Sequence, residues 1–174
     1  MRTSKIFVIL ILLFILSGCN KDQEEIETTV DLDVTTYVEL LKAGSYDSLE
    51  LPGFTYQHIP ALLEYRDEKE LIRNFPVNGI SSLLQYECRL GMYVLWTIES
   101  IRAVAIDSKF LIGRFPSQNP IVEKIGVPFE MTGGDEAHEI VSEAYYNWWV
   151  NNGDKNFSEF KGIDPLTESG YQWH

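Results

Sequence analysis

Between Ile80 and Val104 the chain is apolar nearly all round a helical wheel. Leu83, Leu84, Tyr86, Leu90, Met92, Tyr93, Val94, Leu95, Trp96, Ile98 and Ile101 leave no wide polar face. A helix of that kind must be covered on several sides, so the spacing predicts one long buried helix over about residues 80–104, with the rest of the fold packed around it. Glu87, Arg89, Glu99 and Arg102 within the run argue against a membrane span, because charges in hydrocarbon are costly. Gly91 is a weak point for a helix, one that close packing of a second helix would explain.

The flanking segments predict helices separated by breakers. Asp33 is placed to cap a helix carrying Val34, Tyr37, Val38, Leu40 and Leu41, which Gly44 stops. Ile59, Leu62 and Leu63 mark a second helix with Pro60 in its first turn, and Asp67 starts a third through Leu71, Ile72 and Phe75 to Pro76. Lys109 to Gly113 reads as a short strand, and a helical turn is expected around Val122. From Asp135, the residues Ala137, Ile140, Val141, Ala144, Tyr145, Trp148 and Trp149 recur at three and four residues up to Gly153. Asp154 is the expected cap of a last helix through Phe157 and Phe160. The fold expected is a single mainly α domain over residues 34–174, with little or no sheet.

The N-terminus carries an address. Arg2 and Lys5 precede an apolar run from Ile6 to Leu16, and Leu16-Ser17-Gly18-Cys19 closes it. The run is shorter than the roughly 20 residues a span requires, and its three zones are those of an export signal. The closing tetrapeptide resembles the bacterial lipobox, which implies a signal peptide over residues 1–18 and lipidation of Cys19. Residues 19–33 are polar and acidic and read as a flexible tether. The Lys21-Asp22 start, with Glu24 and Glu25 close behind, resembles the surface-export signal of Bacteroidetes lipoproteins. The expected location is the bacterial outer membrane, facing either outward or the periplasm.

Cleavage after residue 18 removes two basic residues and leaves 12 Lys and Arg against 26 acids, a formal charge of −14. Such a surface repels phosphate backbones, so nucleic acid is not an expected partner. The chain has two cysteines, and with Cys19 lipidated Cys88 has no partner for an intramolecular disulfide. It is expected as a buried structural thiol within a helix.

No catalytic, metal or cofactor constellation is legible. His138-Glu139-Ile140-Val141-Ser142 begins like the zinc-protease signature, but Ser142 stands where the second histidine belongs. Asp135 and His138 are expected as exposed first-turn residues. Among the aromatic residues of the C-terminal region, Trp148 and Trp149 continue the core stripe of their helix. Tyr146, Tyr171 and Trp173 fall off that stripe or in the tail, and are the candidate ligand-binding residues.

Ile59-Pro60-Ala61-Leu62-Leu63-Glu64-Tyr65, Asn74-Phe75-Pro76-Val77-Asn78-Gly79-Ile80-Ser81-Ser82 and Leu95-Trp96-Thr97-Ile98-Glu99-Ser100-Ile101-Arg102 resemble an uncharacterised lipoprotein family of Bacteroides-type bacteria, a domain of unknown function. The resemblance supplies no active-site residues. The expected function is a non-enzymatic envelope module held to the membrane through the lipid on Cys19 and binding a protein or glycan partner. An envelope hydrolase acting on glycan or peptide, and a structural spacer, are the alternatives.

Overall fold

The computed structural model describes residues 32–83, 85–127 and 129–174. The segments expected as a signal peptide and tether, Cys19 included, lie outside the described residues but for Leu32 and Asp33. Residues 31–174 make one compact unit.

The opening helix, α1 (Val34–Ala43), forms as its caps dictate. The Asp33 carboxylate accepts the Thr36 N–H at 2.8 Å, and that bond holds its pKa below the usual carboxylate value. Gly44 ends the helix at φ +62°, a conformation glycine adopts without a Cβ penalty. After a 3-10 turn comes α2 (Ile59–Leu63), with Pro60 in its first turn.

The expected third helix does not form. Leu71–Ile72 is instead a strand, β1, paired antiparallel with β2 (Cys88–Arg89). Leu71 is 53% exposed and Ile72 1%, the two-residue alternation of a half-buried strand rather than a helical stripe. Cys88 is therefore buried in a strand, not a helix.

The central helix exists but is shorter than its apolar run. α3 spans Leu90–Ala105, and every residue from Leu90 through Ala103 is buried. Residues 80–83 and 85–87 are not helical, and Tyr86 is 76% exposed. Local polar bonds explain the loss: Asn78 Oδ1 accepts the Ile80 N–H and Ser81 Oγ accepts that of Leu83, offering the backbone an alternative to helical bonds. The orphan donors at the true start are satisfied from afar, Leu90 N–H by the Glu70 carbonyl and Gly91 N–H by that of Glu68.

Around Val122 the chain forms a strand, not a helical turn. β3 (Val122–Lys124) is the middle of a three-stranded antiparallel sheet, flanked by β4 (Met131–Thr132) and β5 (Tyr171–Trp173). Residues 109–113 make turns and a single bridge from Ile112 to Phe115 rather than a strand. α4 (Asp135–Val150) packs against α3, and α5 (Phe157–Phe160) is capped by Asn156 in place of Asp154. Five α-helices and five strands among the described residues make this a mixed α/β fold. The expectation of a mainly α domain with little or no sheet is thereby corrected.

The core is aromatic around α3. Trp96 is fully buried, stacks on Phe115, and donates its indole N–H to Ser117 Oγ at 2.7 Å. Gly91 marks the predicted close approach: a Cβ there would come within 2.4 Å of both His138 Nε2 and the Arg66 carbonyl.

Candidate binding cleft

The last turns of α3 carry Glu99 and Arg102 three residues apart, which places them on one face of the helix. Arg102 donates twice to Glu99, Nε to Oε2 at 3.0 Å and a terminal nitrogen to Oε1 at 2.6 Å. From α4, the Tyr145 hydroxyl donates to Glu99 Oε2 at 2.7 Å, and from β5 the Trp173 indole donates to the Tyr145 oxygen at 2.8 Å. Four side chains from three elements thus form one chain of hydrogen bonds.

Burial pushes the Glu99 carboxyl above its ordinary pKa, against the pull of Arg102 and Tyr145, and the nearby Asp164 adds to the rise. Burial opposes the Arg102 charge too, but the Glu99 carboxylate more than offsets it and keeps the guanidinium protonated. Burial and then the Glu99 charge raise Tyr145, so its hydroxyl stays a donor.

Above this network opens a cavity of about 620 Å³, in the range of small-ligand sites. Glu99, Arg102, Asp164, Trp173 and His174 line it, together with the exposed apolar side chains Ile80, Ile106, Phe110 and Ile112. Phe110 is 66% exposed, with Lys109 Nζ 4.9 Å from its ring centre. Apolar surface left bare around a polar floor is characteristic of binding sites. A second hollow of about 490 Å³ lies between α4 and residues 163–169, lined by polar groups such as Asn147, Asn151 and Glu168.

The three candidate aromatic residues are not brought together. Trp173 lines the cleft, half-buried, with its N–H committed to Tyr145. Tyr171 is half-buried on β5 opposite Lys124. Tyr146 is exposed, with the Arg66 guanidinium 4.4 Å above its ring. Trp148 is buried in the stripe as expected, whereas Trp149 is only half-buried, its ring packed against Phe160.

The other chemistry-bearing residues lie outside the cleft. Burial lifts the Cys88 thiol far above its usual pKa, so it is no thiolate nucleophile. His138 is not the exposed first-turn residue expected; it is 1% exposed, while Asp135 pairs with Lys69 and Arg89. Among the described residues no group of His, Cys, Asp and Glu is placed to hold a metal ion, and no helix is long and apolar enough to cross a membrane. Glu99, Arg102 and Tyr145 escaped sequence reasoning. Their one signal was an opposite-charge pair at i and i+3 in an otherwise apolar helix.

Fold and cleft together define a small mixed α/β domain with a ligand-sized cleft whose buried carboxylate is already engaged on both oxygens. By sequence, residues 28–174 match the family model described as a domain of unknown function, DUF4943, and the chain belongs to that family. No curated protein and no solved structure matches the chain.

Proposed function

We propose that this protein is an exported envelope lipoprotein of Bacteroides type, anchored in the outer membrane through lipid on Cys19, and that its domain is a non-enzymatic binding module. The lipobox-like Leu16-Ser17-Gly18-Cys19 supports the anchor, and the acidic tether with its Lys21-Asp22 start supports outward display. One observation carries the binding reading. The cleft leaves Phe110, Ile80, Ile106 and Ile112 bare to solvent, while Glu99 beneath them has both oxygens bonded internally. That arrangement suits retention of a protein or glycan partner better than proton transfer, which needs a free acid or base. The spacer reading leaves the cleft without a purpose.

Two measurements test the proposal. Wild type should incorporate a fatty-acid analogue in cells and Cys19→Ala should not; equal labelling overturns the anchor. The double variant Phe110→Ala, Ile112→Ala changes exposed side chains and should melt close to wild type. It should nevertheless lose the partner that the lipidated wild type captures from intact membranes. Undiminished capture by the stably folded variant takes the cleft out of the binding role.

A further inference from the structure

Where α4 meets the loop after α2 and the first turn of α3, the buried group at the junction is the His138 imidazole. His138 is buried, and its Nε2 lies 2.7 Å from the Arg66 carbonyl oxygen. A carbonyl only accepts, so Nε2 carries the proton and Nδ1 of the neutral ring is a bare lone pair. That Nδ1 is buried without a hydrogen-bond partner. Gly91 closes off the other side, because its missing Cβ is what lets the ring and the Arg66 carbonyl approach α3. With Asp67, Lys69 and Glu139, His138 lines a cavity of about 230 Å³.

The charges facing this junction are largely paired with one another. From the 64–70 loop, Asp67 accepts from Ser142 Oγ and pairs with Arg66 at 3.1 Å. Lys69 pairs with Glu139 at 2.7 Å and with Asp135 at 3.7 Å, both on α4. Arg89 of β2 pairs with Asp135 at 3.2 Å. A proton arriving on Nδ1 would therefore place a cation on a buried ring, beside carboxylates at the surface that already have partners.

We propose that His138 is an acid-responsive latch, in which proton uptake at Nδ1 loosens the junction of α4 with the 64–70 loop and with the first turn of α3. Burial, the largest influence on the ring, favours its neutral form, Lys69 and Arg89 add to that, and Asp67 and the Arg66 carbonyl oppose it. Two backbone bonds beside the ring report on the latch: Leu90 N–H to the Glu70 carbonyl and Gly91 N–H to the Glu68 carbonyl.

The test follows ring resonances and amide exchange by NMR in the full chain, in mild detergent, from pH 7.5 to 4.5. The His138 ring should titrate below the ordinary histidine value of about 6.5. Protection of the Leu90 and Gly91 amides, corrected for intrinsic exchange, should fall at least tenfold with the same midpoint. His138→Gln keeps a side-chain N–H able to serve the Arg66 carbonyl but cannot titrate, so its protection should be flat across the range. Protection that survives protonation of His138, or an unchanged pH response in His138→Gln, overturns the latch. If His138→Gln does not fold, the wild-type midpoints decide alone, and a mismatch between ring titration and amide opening overturns it equally.

Discussion

Replacing Gly91 by Ala sets two physical effects of opposite sign against each other. Helix propensity favours the change: Gly to Ala within a helix gains up to about 1 kcal/mol. Packing opposes it, since the added Cβ would lie 2.4 Å from the Arg66 carbonyl oxygen and 2.4 Å from His138 Nε2. Neither neighbour is the free end of a flexible side chain. One is backbone, and the other is a ring held by that backbone. Relief requires α4 or the 64–70 loop to move outward, which costs about 1–3 kcal/mol for overpacking. It also breaks the His138–Arg66 bond and leaves buried polar groups unpaired, for roughly another 1–3 kcal/mol. The net expectation is a loss of about 1–5 kcal/mol. With a urea m-value on the order of 2 kcal/mol/M, the denaturation midpoint should fall by about 0.5–2.5 M. A midpoint equal to or above wild type, at unchanged m, would refute the close approach at Gly91.

Three further outcomes are expected. Trp96→Ala removes a fully buried ring and the N–H that Ser117 Oγ accepts, and should cost about 3–5 kcal/mol in chemical denaturation; a midpoint within error of wild type would contradict the core assignment. Glu99→Ala alone should cost about 3–5 kcal/mol by leaving Arg102 buried and unpaired, whereas Glu99→Leu with Arg102→Met should cost less than the sum of the single changes; strict additivity in that double-mutant cycle would show the pair is not coupled. Because the folded state lowers the His138 pKa, the unfolded chain takes up more protons below about pH 6.5. The stability His138 contributes should be complete above that pH and decline as the pH falls through it, while in His138→Gln this share of the pH dependence should vanish from urea midpoints taken between pH 7.5 and 5.

Much of the local architecture was legible because its causes are local. The Asp33 cap, the Gly44 stop, Pro60 in the first turn of α2 and the stripe from Ala137 to Trp148 each depend on residues within a few positions of one another. The burial of α3 was legible too, since so apolar a helix belongs in a core or a membrane and its charged residues argue against the membrane. Of the three candidate binding residues, Trp173 lines the cleft and Tyr146 and Tyr171 do not.

What tertiary structure alone decided involves partners distant in the chain. Leu71 and Ile72 are a strand because Arg89 and Cys88 lie alongside. Tyr171 to Trp173, seemingly an unstructured tail, pair with Lys124 to Val122. Ile80, Leu83 and Tyr86 suit a helical pattern, yet bonds from the Ile80 and Leu83 amides to Asn78 and Ser81 hold residues 80–83 out of a helix, and exposed Ile80 becomes part of the cleft rim. Glu99 and Arg102 look like surface charges in one dimension; only α4 and β5, closing over them with Tyr145 and Trp173, make them a buried network. Periodicity reports which face a segment would bury, but strand pairing, buried ion pairs and an orphaned imidazole nitrogen depend on which distant group arrives there, and that is set by packing.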